Sequence, residues 1–139
     1  MIKGFNHVGI AVKNLDEAVT FLEKTYNARL ITRTQYEDQL LESALLQVGD
    51  AKLELLGSLT SKGFIAQFIR ERGEGIHHIS LDVDQFEKVV QEFKSKGLEV
   101  LGETENENFK ACFIHPKGNY GVLTELIELS QEGSMKKKR

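Results

Sequence analysis

Apolar and polar positions alternate along residues 2–12, so that Val8, Ile10 and Val12 share one face and His7, Gly9 and Ala11 the other. The pattern predicts a strand whose apolar face carries the core. Its other face, a histidine followed by small residues, reads as a floor with open space above it. The period then changes. Leu15, Ala18, Val19, Leu22 and Tyr26 recur at helical spacing, and Asn14 followed three residues later by Glu17 marks a capped helix start. Asn27 suits the left-handed residue that ends such a helix. β-Branched and mixed residues over 29–36, a second run over 42–48, the Gly49-Asp50 turn and the run Lys52–Leu56 predict three strands. In the last of them Glu54 lies on the face opposite Leu53 and Leu55. The first half thus reads as βαβββ.

Residues 57–75 read as a packed connector. Thr60-Ser61 opens a short helix with Phe64, Ile65, Phe68 and Ile69 as its buried stripe, and Gly73-Glu74-Gly75 ends it. The plan then repeats. A strand over 76–83 sets His78, Ser80 and Asp82 against Ile79, Leu81 and Val83. A helix over 85–96 carries Phe86, Val89, Val90 and Phe93 and stops at Gly97. Strands follow at about 98–103, 109–115 and 121–129, with turns at Asn106/Asn108 and at His115–Asn119, where Pro116 and Gly118 break pairing. In the last strand Glu125 shares a face with Leu123 and Ile127.

The two halves are related by a single offset of 71 residues. It carries His7 onto His78, Val8 onto Ile79, Ile10 onto Leu81 and Val12 onto Val83. It also carries Leu15, Val19 and Leu22 onto Phe86, Val90 and Phe93, and Glu54, Leu55 and Leu56 onto Glu125, Leu126 and Ile127. Each half therefore places a His on its first strand and a Glu on its last. Two imidazoles and two carboxylates suit a borderline divalent cation such as Zn, Co, Ni, Mn or Fe, with positions left for substrate oxygens. His7, Glu54, His78 and Glu125 are the candidate metal ligands. His77 alternates to the opposite face and reads as structural or exposed. His115, ahead of Pro116, reads as a loop residue. Asp82, two positions beyond His78, reads as hydrogen-bonded or solvated.

Composition narrows the setting. A chain of 139 residues with 40% hydrophobic content builds an ordinary core, and its net charge of −3 argues against a polyanion-binding surface. The basic run Lys136–Arg139 reads as a solvated end, so no nucleic-acid partner is expected. No apolar run approaches the roughly 20 residues of a membrane helix, and no charged-then-apolar leader opens the chain. Cys112 is the single cysteine, which excludes an intrachain disulfide and points to a cytoplasmic protein. Between Ala111 and Phe113-Ile114 it reads as strand core rather than a nucleophile.

Five segments carry a resemblance: Asn6–Val12, Gly49–Leu56, Gly73–Ile79, His115-Pro116-Lys117 and Gly121–Leu126. Together they resemble the vicinal oxygen chelate (glyoxalase/bleomycin-resistance) superfamily, over about residues 2–129. Within it, Gly-Glu-Gly-Ile-His-His, His-Pro-Lys and Gly-Val-Leu-Thr-Glu-Leu are most like the methylmalonyl-CoA epimerases. The resemblance implies an α+β fold of two tandem βαβββ modules forming one domain over 2–132 around a metal cleft. The modules would span about 2–57 and 75–130, joined by a connector helix over about 60–73 and followed by a basic tail at 133–139. It further implies a homodimer and metal ligands at His7, Glu54, His78 and Glu125, with Co, Zn, Ni or Mn bound. The implied reaction interconverts the 2R and 2S epimers of methylmalonyl-CoA through removal of the C2 proton and a metal-stabilised enolate.

Epimerisation needs acid/base groups on both faces of C2. Glu125 is the candidate for one. Some epimerases have a second Glu at the position occupied here by Ser43. Glu42 is adjacent, but it alternates to the other strand face unless a bulge or a one-residue register shift intervenes. Glu42 or a bound water is the candidate for the second group. A further departure is Glu105-Asn106-Glu107-Asn108, where many epimerases have a Gly-rich loop. Three rivals share the fold: a glyoxalase I-type lactoylglutathione lyase, a non-catalytic small-molecule-binding protein and an extradiol dioxygenase. The four-ligand set opposes the second, and its two carboxylates oppose the third.

Overall fold

Asn14 starts the first helix as its spacing predicts. Its side chain accepts a hydrogen bond from the Glu17 N–H at 3.0 Å, and Asn27 ends the helix with φ 55°. The structure, a computed structural model, describes residues 1–130, and Lys136–Arg139 lies outside the described residues. The elements are β1 (Ile2–Ala11), α1 (Leu15–Tyr26), β2 (Arg29–Tyr36), β3 (Leu41–Val48), β4 (Ala51–Ser58), α2 (Phe64–Arg72), β5 (Gly75–Val83), α3 (Phe86–Ser95), β6 (Val100–Glu105), β7 (Phe109–Ile114) and β8 (Thr124–Leu129). This is the expected α+β plan, βαβββ twice with α2 between. None of these helices is long and apolar enough to cross a membrane.

The chain divides into two compact units. One is residues 7–77, and the other begins with residues 1–6 and resumes at residue 78. In the unit of residues 7–77 the strands lie in the order β2-β3-β4-β1. Hairpins join β2, β3 and β4, while β1 pairs with β4 in parallel, Gly9 opposite Glu54 and Ala11 opposite Leu56. One sheet face packs under α1 as a core of Val12, Leu15, Val19, Leu22, Ala44, Leu46 and Leu55. Each Val or Leu among them, once buried, contributes about 1.5–3 kcal/mol.

The other face of that sheet corrects the expectation of an open floor. Ala11 is fully buried with Leu41 and Leu56 beneath Ile65 of α2, so the connector helix covers the C-terminal end of β1. The start of α2 also differs from expectation. Thr60 makes a local turn, its hydroxyl accepting from the Lys62 N–H, and the helix begins at Phe64 after Gly63. Gly63 fits there because a Cβ would collide with Ser58 Oγ and lie 2.9 Å from the Leu40 carbonyl oxygen. Of the expected buried stripe, Ile65 is buried but Phe64 is exposed; Tyr26 on α1 is exposed as well, edge-on to Phe21.

The second unit orders its strands β5-β8-β7-β6. Ser80 of β5 stands opposite Glu125 of β8 in parallel pairing, and β7 joins β8 antiparallel with Phe113 opposite Glu125. Val83, Phe86, Val89, Val90, Cys112, Ile114 and Leu126 form its core under α3. The 71-residue offset maps Val12, Leu15, Val19 and Leu55 of the first core onto Val83, Phe86, Val90 and Leu126 of this one. Residues 1–6 complete this unit. Met1 O accepts from the Asp84 N–H at 3.0 Å, and Asn6 Nδ2 donates to Asp82 Oδ1 at 2.9 Å. The last strand starts at Thr124 rather than 121, because Tyr120 and Gly121 adopt φ values of 56° and 78° that end pairing ahead of it.

Burial pushes the Cys112 thiol up to about 11. The thiol is therefore expected to resist a disulfide reagent at pH 8 in the folded protein and to titrate as one equivalent in denaturant. Gly63→Ala is expected to destabilise the fold by about 1–3 kcal/mol through overpacking, read as a lower urea midpoint.

Candidate functional site

Alternation on β1 and parallel pairing with β4 together decide where His7 points. Gly9 stands opposite Glu54, and His7, two residues earlier, shares its face. The result is a contact of 3.4 Å between His7 Nε2 and Glu54 Oε1, with the imidazole almost fully buried and the carboxylate partly exposed. The same rule acts in the second unit. Ser80 stands opposite Glu125, and His78 is two residues before Ser80. His78 is buried, and its ring meets the edge of Phe113 at 5.6 Å between centroids and 88° between planes. Ser80, fully buried, donates its hydroxyl to Glu125 Oε1 at 2.7 Å.

His7, Glu54 and His78 make a His–Glu–His group able to hold a metal ion. Imidazole nitrogens with a carboxylate oxygen are the donor set of a borderline divalent cation, and the burial of both rings fits ligation better than solvation. Glu125, the fourth expected ligand, has its Oε1 engaged by Ser80.

Glu42 is placed away from this chemistry. Pairing of β3 with β4 runs from Leu41 opposite Ser58 to Val48 opposite Ala51 with no bulge, so the condition for Glu42 to reach the Glu54 face is not met. Its carboxylate lies against Gly57, whose added Cβ would meet Glu42 Oε1 at 3.3 Å and Leu15 at 3.6 Å, on the α1 side of the sheet. Ser43, buried at 5% exposure, takes the face shared with Glu54.

The remaining candidates have structural partners. His77 packs edge-on against Phe68 at 4.9 Å and tilted against Phe64 at 5.9 Å. Burial lowers its pKa, the Glu54 carboxylate opposes that shift, and Arg72 adds to it. His115 Nδ1 accepts from the Lys117 N–H at 2.9 Å within the turn before β8. Asp82 is held by Asn6. Ser80 is the residue that the pattern alone passed over. The alternation sets it on the face of His78 and no more, and only the β5–β8 register brings its hydroxyl to Glu125.

Residues 6–133 match the model of the Glyoxalase/Bleomycin resistance protein/Dioxygenase superfamily. An ethylmalonyl-CoA/methylmalonyl-CoA epimerase from Cereibacter sphaeroides is 31% identical over 134 residues, which is 93% of this chain and 100% of that protein. The crystal structure of methylmalonyl-CoA epimerase from Mycobacterium tuberculosis superposes with a TM-score of 0.86 at 32% identity, covering 96% of this chain and 93% of that one. A methylmalonyl-CoA epimerase in complex with methylmalonyl-CoA and an ammonium ion superposes at 0.87 with 27% identity, covering 94% and 97%.

His7→Ala and His78→Ala are each expected to lower bound divalent metal at least tenfold, measured by elemental analysis of purified protein. Glu42→Gln is expected to leave metal content unchanged. Equal metal in all three variants would contradict the donor set.

Proposed function

The chain belongs to the glyoxalase/bleomycin resistance protein/dioxygenase superfamily and, within it, to a group of racemase/epimerase enzymes, and from that premise we propose that it is a methylmalonyl-CoA epimerase. The observation that carries the reading is a likeness to solved epimerases over nearly the whole chain at about one residue in three, joined to a His–Glu–His group at the repeated strand positions.

His7, Glu54, His78 and Glu125 would hold a divalent ion, Co, Zn, Ni or Mn. When bound it supplies Lewis-acid stabilisation of negative charge on the oxygens of a malonyl thioester. The chain's own residues account for the proton. The C2–H bond breaks, its electron pair stays on the acyl group, and the proton passes to the carboxylate of Glu125. Around it Phe113 lies against buried His78, and buried Ser80 donates to Glu125. Return of a proton to the other face of C2 inverts the centre. With Glu42 on the α1 side, that second transfer is assigned to a water held on the face of Ser43 and Glu54. Glu125 then gives its proton up to solvent and the resulting hydroxide takes one back, so no atom is gained or lost over the cycle, as an epimerisation requires.

The same reading takes residues 2–132 as one domain with its connector over 60–73, places the enzyme in the cytoplasm and makes a second copy of this chain its partner. A glyoxalase I-type lyase would also move a proton next to a carbonyl, so substrate decides between the two. The purified protein is expected to exchange the C2 proton of methylmalonyl-CoA with solvent deuterium, to lose that exchange on treatment with a chelator, and to regain it when a divalent metal is restored. Absent exchange, together with turnover of a glutathione hemithioacetal, would replace the epimerase reading with the lyase.

A further inference from the structure

The two halves of the repeat agree in register but differ in one residue beside their carboxylates. Gly9 stands opposite Glu54, and Ser80 stands opposite Glu125, at positions related by the same offset of 71. Gly9 has no side chain to offer. Ser80 has a hydroxyl, is 0% exposed and donates to Glu125 Oε1 at 2.7 Å. A hydroxyl-to-carboxylate bond of that length is charge-assisted and stronger than a neutral one. The cross-strand Phe113, packed on His78, stands on the other side of Glu125 in the same sheet. One carboxylate of the repeat is thus fixed by a buried donor on the neighbouring strand.

We propose that Ser80 is a positioning residue that makes Glu125, rather than Glu54, the proton-moving carboxylate of the site. This rests on the epimerase reading and deepens it. A serine hydroxyl carries one proton to donate. Given to Oε1, it fixes the carboxylate plane and directs the substrate proton to Oε2. In the forward step the C2–H bond breaks, its electrons remain on the acyl group, and the proton bonds to Oε2. In the reverse sense Oε2 returns it to the same face. Orientation of the acceptor oxygen is the term most sensitive to small displacements in such a transfer. Losing the Ser80 bond removes the donor on Oε1 and leaves the carboxylate in place.

The test compares wild type with Ser80→Ala, which keeps the packing and drops the donor, and Ser80→Cys, which keeps a weak one. Bound metal and thermal midpoint are measured first, and Ser80→Cys carries the test if Ser80→Ala does not fold. The expected result is unchanged metal content, a KM for methylmalonyl-CoA within twofold, and a kcat lowered about 10- to 100-fold, with Ser80→Cys intermediate. The primary isotope effect with C2-deuterated substrate is expected to rise in only one of the two directions, the one in which Glu125 removes the proton. Thermal shifts of Ser80→Ala and Glu125→Gln are also expected to be non-additive in the double variant. Wild-type turnover with an unaltered kcat in folded Ser80→Ala overturns the role of Ser80 and leaves the epimerase reading standing, as does a loss of activity that follows metal content alone. Absence of wild-type turnover overturns both.

Discussion

Parallel pairing of the first strand of each module with its last is the constraint on which the site depends. Pairing fixes which residues stand abreast, and alternation fixes which face each presents. Gly9 opposite Glu54 sets His7 and Glu54 on one face, and Ser80 opposite Glu125 does the same for His78 and Glu125. A slip of one residue would turn these side chains into the cores under α1 and α3. Those cores resist the slip. Leu55 and Leu126, neighbours of the two glutamates, are buried at 2% and 0% exposure, and any shift would bring them out. Hydrophobic burial on one face of each sheet therefore holds the polar chemistry of the other in place.

Much of this was legible in the chain because repetition supplies a check that a single pattern lacks. One buried histidine on a strand is ordinary. Two histidines and two glutamates related by one offset, together with matched apolar stripes, tie position to position. The two βαβββ modules, the Asn14 cap and the burial of Cys112 followed from periodicity and turn chemistry. The illegible parts depend on neighbours remote in sequence. α2 begins after Gly63, a position crowded by the carbonyl of Leu40 from the far side of β3 and β4, and nothing near residue 60 signals that. Ala11 is buried by a helix more than fifty residues away. Phe64 and Tyr26 fit an apolar period yet stand exposed, one at the start of α2 and one at the end of α1.

Glu42 illustrates how alternation and chemistry pull apart. As a carboxylate beside the place of an expected base it invited a role, but an unbroken hairpin register leaves it over Gly57 and Leu15. Ser80 is the converse case. A serine between two branched residues carries no signal by itself, and it becomes informative only opposite Glu125. Residue type proposes chemistry, while strand register decides whether it is available.

The membership of residues 1–6 bears on how the chain is made. They close against β5 and the residue after it through bonds that span 76 residues from Asn6 to Asp82 and 83 from Met1 to Asp84. During synthesis from the N-terminus, residues 7–77 can collapse as soon as they emerge, but the opening segment has no partner until the second module begins to appear. Such long-range pairing is slow because loop closure precedes its reward. Half of β1 is therefore committed early and half late, and a nascent chain released before residue 82 would lack both Asp82 and Asp84, the far ends of these bonds.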